Sequence, residues 1–137
     1  MSLIIDIETI ARPLREEEIA HIEATIKPPA NIKLALDPFY NQIIAISAKH
    51  HGVGSPPRFD MINDIEDQLL ESFIDYLVRL ESAKIEIYPF VGCNLIGFDL
   101  PTIALHLCKH RIDPMGFDFT PSKYNRKRVV DLMTAFS

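Results

Sequence analysis

The 137-residue chain contains no apolar run near the ~20 residues that a membrane-spanning helix needs. Its opening residues, Met-Ser-Leu-Ile-Ile-Asp-Ile-Glu-Thr, have no basic segment ahead of the apolar ones, and acids interrupt them, so they are not expected to form a signal peptide. Cysteine is scarce. Cys93 and Cys108 form no Cys-x-x-Cys pair and no Cys/His zinc spacing. Both sit in apolar stretches and are expected to be reduced core thiols of a cytoplasmic protein. Net positive charge is also lacking: 14 Lys and Arg against 19 Asp and Glu give −5. That argues against a protein holding nucleic acid by a general basic coat, though not against a nuclease whose acids bind cations. No Gly-rich phosphate loop is present, and the pair Gly52-Val-Gly54 reads as a hairpin turn, which argues against a nucleotide-binding or phosphotransferase domain.

A hydrophobic fraction of 47% with 24% charged residues, in a chain of this length, predicts one domain over residues 1–137 with a proper core. Residues 3–8 read as a buried strand. Arg15 to Ile26 reads as a helix with Leu14, Ile19, Ile22 and Ile26 on one side, inside a proline-broken excursion over residues 12–38. Residues 42–49 form a second strand, followed by a turn and a strand near 58–62. Asp64 is the expected N-cap of the clearest helix, with Ile65, Leu69, Phe73, Tyr76, Leu77 and Leu80 recurring at helical spacing. Asp67, Gln68, Glu71, Asp75 and Arg79 cover its other face. Residues 84–92 read as a strand, Pro101 opens a helix to about His110, and residues 129–136 begin an apolar element. This order predicts an α/β fold, a mixed sheet with helices packed on it.

Asp6 and Glu8 lie two apart on a strand and so point to one face, with Leu3, Ile5 and Ile7 on the other. Two adjacent carboxylates repel each other, and a divalent cation relieves that cost; oxygen-only ligands favour Mg²⁺ or Mn²⁺ over zinc. The bland alternative is a solvated strand end. Asp99 precedes Pro101 by two residues, and so is equally readable as the cap of the helix that follows. Asn94 has the alternative of a turn residue, Phe98 that of a core residue, and the basic stretch Lys123 to Arg128 that of an exposed loop.

Ile4-Ile-Asp-Ile-Glu-Thr9 resembles the first motif, D-x-E, of the DEDD 3′-to-5′ exonucleases, which are DnaQ-like and ribonuclease H-like, and Asn94-Leu-Ile-Gly-Phe-Asp-Leu-Pro101 resembles their second, N-x-x-x-F-D. The Asp-Leu-Pro continuation is closest to the family-B DNA polymerase exonuclease domains and their predicted stand-alone relatives. Ile43 to Ser47, Glu66-Asp-Gln-Leu-Leu70 and Val130-Asp-Leu-Met133 resemble further segments of that narrower group. The resemblance implies a ribonuclease H-like mixed sheet and two-metal hydrolysis of phosphodiester bonds at a single-stranded nucleic-acid 3′ end. It implies two Mg²⁺ or Mn²⁺ ions, with Asp6, Glu8 and Asp99 as converging catalytic metal ligands. Thr9, Asn94 and Phe98 would then bind substrate. The group's third motif, Y-x-x-x-D or H-x-x-x-x-D, is missing: Tyr124 and Asp131 are seven apart, and His106, His110 and Asp113 lie within or beside the helix after the second motif. The chain is therefore expected to be a C-terminally truncated piece, or to have lost the motif, and to show little exonuclease activity. A non-catalytic nucleic-acid- or protein-binding module is the alternative. The first strand is expected to be central in the sheet.

Overall fold

The computed structural model describes residues 2–25, 34–52, 54 and 56–135. Strand β1 (Ser2–Ala11) alternates strictly: Leu3, Ile5 and Ile7 are buried, while Ile4, Asp6 and Glu8 are exposed. Alternation of this kind marks a strand with one covered face, so the expectation of burial is met on one side only. After helix α1 (Glu16–Thr25), β1 pairs antiparallel with β2 (Asn41–His51), which pairs antiparallel with β3 (Phe59–Ile62). On its other edge β1 runs parallel to β4 (Phe90–Gly92), and β4 runs parallel to β5 (Val129–Asp131). The result is a five-stranded mixed sheet in the order β3-β2-β1-β4-β5, with β1 central as expected.

Helix α2 (Glu66–Ser82) and helix α3 (Leu100–Lys109) supply the covering layer. From α2 come Leu69, Leu70, Phe73, Ile74, Leu77 and Leu80, and from α3 come Leu100, Ile103 and Leu107; with Leu3, Ile5, Ile7, Ile43 and Ile46 they form one core cluster. Each such side chain contributes roughly 1.5–3 kcal/mol on burial, so this stripe decides how the helices dock. A one-turn helix α4 (Leu132–Ala135) follows β5. Among the described residues no helix is long and apolar enough to cross a membrane.

Several local expectations are corrected. Asp64 does not cap α2; the capping position is Ile65, which makes no side-chain cap bond and is itself exposed. Asn63 Oδ1 accepts from Ile65 N instead, three residues ahead of the first helical residue, Glu66. The buried stripe of α2 includes Glu66, an acid that the apolar periodicity passes over. The strand expected over 84–92 is only Phe90–Gly92, because Pro89 has no N–H for a ladder. Ile19 of α1 is exposed rather than part of a buried side, and Ile26 and the side chain of Ile22 lie outside the described residues. Cys93 and Cys108 are both exposed free thiols, not core residues: each falls on the solvent side of the loop or helix that carries it.

Candidate metal centre

Three side chains converge where β2 begins, α2 begins and α3 ends. Glu66 is the first residue of α2 and is buried, with its carboxylate turned inward. His106 is on α3 and fully buried; His110, four residues on, follows the last turn of the same helix. Residues at i and i+4 share a helix face, so both imidazoles reach one point. His106 Nδ1 lies 2.8 Å from Glu66 Oε1, and His110 Nε2 lies 2.6 Å from the same oxygen. The second oxygen, Oε2, accepts from the backbone N–H of Ile43 in β2. The three potential ligand atoms lie within 4.8 Å of one another, and this is the three-ligand group that the described residues form.

The surroundings favour charge separation in this order. A carboxylate at the start of α2 sits at the favourable end of that helix's dipole, and the end of α3 favours positive charge. Burial pushes the Glu66 carboxyl up, but the hydrogen bonds from His106, Ile43 N–H and His110, with the charge of His106, outweigh it and hold it at about 2. Glu66 is therefore an anion throughout the neutral range, as a ligand to a cation must be. His106 Nε2 faces Asn41 Oδ1 at 2.8 Å, so the ring is gripped on both sides.

The residues singled out in the sequence sit elsewhere. Asp6 and Glu8 are exposed and line an open cleft of about 420 Å³ with Ser47 and Asp60 on the uncovered face of the sheet. β4 pairs with β1 only at Leu3 and Ile4, which leaves the edge of β1 free beyond that point. Asp99 fills this edge: its Oδ2 accepts from Ile7 N at 3.2 Å. It is not a helix cap, since its backbone is already helical and it makes no cap bond. Burial, together with the nearby charges of Asp6 and Asp131 and against the Ile7 N–H bond, pushes the Asp99 carboxyl up to about 7. Asn94 takes the left-handed conformation ahead of a single π-helical turn, Leu95–Asp99, and its N–H donates to Asp131 Oδ1 at 2.8 Å; Ile96 N–H donates to Asp131 Oδ2 at 3.0 Å. Gly92 lets the chain pass here, since a Cβ on it would stand 2.7 Å from the Ile5 carbonyl oxygen. Thr9 Oγ1 donates to Ala35 O, and Phe98 packs half-buried against the core.

Together, fold and geometry define an α/β fold in which the described residues form a two-histidine, one-glutamate cluster. In comparisons with known proteins, no family model matches the chain and no curated protein matches it. The composition of the cluster corrects the expected membership among DEDD exonucleases, and with it the assignment as a magnesium-dependent 3′-to-5′ exonuclease or its binding-module variant. The cluster that forms contains two imidazoles and one carboxylate, not four carboxylates, and its three ligand atoms suit one ion, not two. Imidazole donors suit zinc-class ions, whereas Mg²⁺ and Mn²⁺ take oxygen, so the expected pair of Mg²⁺ or Mn²⁺ cofactors is corrected as well. A signal was present in the sequence. His106-x-x-x-His110, at helical spacing, is a metal-ligand pattern in its own right. Glu66 gave no signal, because only the docking of α2 against α3 brings it to the pair.

Proposed function

We propose that this chain is a single-ion metal protein, in which Glu66 Oε1, His106 Nδ1 and His110 Nε2 hold one zinc-class divalent cation with a fourth position for water. The observation that carries the reading is the convergence of two imidazole nitrogens on one buried carboxylate oxygen. Two histidines and a glutamate are a ligand set of catalytic zinc sites, which keep the fourth position open. With bonds of about 2.0–2.1 Å, tetrahedral ligand atoms stand about 3.3 Å apart. The present contacts of 2.8 and 2.6 Å open by a fraction of an ångström to reach that spacing. His110 has the freedom for this movement, at a helix end with a side chain 26% exposed. A bound ion of this class acidifies its water, which makes hydrolysis the type of reaction such a centre supports.

The test is a titration of the purified chain with Zn²⁺ and Co²⁺. One equivalent is expected to bind, with the intense visible bands of tetrahedral Co²⁺. His110→Ala is expected to weaken binding by more than about 100-fold, beyond the usual cost of disturbing an outer-shell partner. Absence of binding, or unchanged affinity in the variant, overturns the reading.

A reacting role for Asp6, Glu8 and Asp99, with Thr9, Asn94 and Phe98 around them, is proposed separately. Its support is the cleft beside the first pair and the charge coupling of Asp6 to Asp99. A single-stranded nucleic-acid partner is proposed on another observation: Tyr124 is 81% exposed among exposed Lys123, Arg126 and Lys127. Aromatic stacking between cations suits bases of any sequence. Anisotropy of a labelled oligonucleotide should show salt-sensitive binding, weakened about tenfold by Tyr124→Ala; a signal that is the same for both proteins counts against it. The finer description of the sheet as ribonuclease H-like is supported by three antiparallel strands followed by two parallel ones. Two exposed free thiols support a reducing, cytoplasmic setting.

A further inference from the structure

We infer that Asn41 is the positioning residue of this centre, fixing His106 in the tautomer that presents Nδ1, and not Nε2, to the ion. The inference rests on the single-ion reading. Asn41 is the first residue of β2 and is completely buried. Its amide has two ends, and each end meets a group whose character is decided elsewhere. One end lies 3.0 Å from the carbonyl oxygen of Ala35. A carbonyl oxygen only accepts, so the atom facing it is Nδ2. The other end is then Oδ1, and it lies 2.8 Å from His106 Nε2. An amide oxygen also only accepts, so Nε2 carries the proton.

The reversed amide would press two carbonyl oxygens together at Ala35 inside a buried site, where an unmatched polar contact costs about 1–3 kcal/mol. Ala35 O is itself held in place, since it also accepts from Thr9 Oγ1 at 2.6 Å. A chain of fixed polarity thus runs from Thr9 and Ala35 O through Asn41 to His106. With Nε2–H committed to Asn41, Nδ1 is the nitrogen left for Glu66 Oε1, and an ion takes that place by displacing a proton from Nδ1. Outer-shell partners of this kind set the tautomer and ring orientation of metal-bound histidines. No periodicity or motif in the sequence marks Asn41, because its role depends on contacts to residues 35 and 106.

The experiment uses the full chain, Asn41→Leu and Asn41→Asp, each titrated with Zn²⁺ and followed by ¹⁵N-detected NMR of the histidine rings. In the zinc-loaded wild type, His106 is expected to show a metal-shifted Nδ1 and a slowly exchanging proton on Nε2. Asn41→Leu removes the acceptor and is expected to lower zinc affinity 10–100-fold, the range for lost outer-shell partners. Asn41→Asp keeps the acceptor for Nε2–H but sets a second oxygen against Ala35 O, so its readout is the coordinating nitrogen and not affinity: zinc is expected on Nδ1. Coordination through Nε2 in the wild type or in the Asp variant overturns the inference, as does a Leu variant binding within twofold. If the Leu variant does not fold, the coordinating nitrogen in the Asp variant and the wild type decides. Failure of the wild type to bind zinc overturns the metal centre itself, a result distinct from each of these.

Discussion

Asp99→Asn is expected to stabilise the protein at pH 8 and to flatten its stability profile between pH 4 and 7. The Asp99 carboxyl titrates at about 7 in the folded chain against an ordinary 3.8, because burial and then the Asp6 and Asp131 charges oppose ionisation. The folded state therefore holds a proton that the unfolded state has already released. Stability is undiminished below about pH 4, falls as pH rises toward 7, and stays low above it. A displacement from 3.8 to about 7 corresponds to roughly 4 kcal/mol as a ceiling. Asparagine keeps an oxygen for Ile7 N–H and cannot ionise, so it removes the pH-dependent cost. Urea unfolding at pH 4.5, 6 and 8 measures this directly. In the wild type, Asp6→Asn should also lower the Asp99 titration midpoint followed by ¹³C NMR. A variant whose profile parallels the wild type, or no movement of the midpoint, refutes the account.

Glu66→Ala is expected to have the opposite sign and a comparable size. It leaves the rings of His106 and His110 and the N–H of Ile43 without their common acceptor. Removing one partner of a buried ionic cluster typically costs about 3–5 kcal/mol. The acid limb of the metal-free protein should change too. Glu66 titrates at about 2 when folded against an ordinary 4.5, so its contribution is present above about pH 4.5 and lost as pH falls toward 2. In the alanine variant that limb should flatten. A melting temperature within a few degrees of wild type would show that the cluster carries little of the fold.

The strands and the two large helices were legible because their periodicities are strong. Alternation in β1 and the recurrence of Leu69, Phe73, Leu77 and Leu80 announce covered faces whatever the tertiary context. Two kinds of feature were not legible. Capping failed at Asp64 and Asp99 because a nearby acid is a permissive signal: Asn63 served one site, and the free edge of β1 took the other. The candidate centre was hidden because its parts are far apart in sequence. Glu66 is separated from His106 by 40 positions and Asn41 from His106 by 65. Polar residues on a buried face look like interruptions of an apolar stripe until their partner is known, and helix docking supplies that partner. Asp6 and Glu8, by contrast, are exposed and share one face of β1, as their spacing of two on a strand announces.

The same long separations bear on kinetics. The joint from Ala35 and Asn41 through His106 to Glu66 and Ile43 ties the start of β2, the start of α2 and the end of α3 at one buried point. Loops of this length close late, after local helices have formed and their apolar stripes have met the sheet. Contacts completed after the rate-limiting step of folding act mainly on the rate of unfolding. An ion that binds only the finished joint adds stability in proportion to the logarithm of its free concentration. An ion bound there as proposed would lengthen the lifetime of the native chain while leaving the speed of its formation nearly untouched. The joint would then serve as a latch set after assembly, with its strength graded by metal supply.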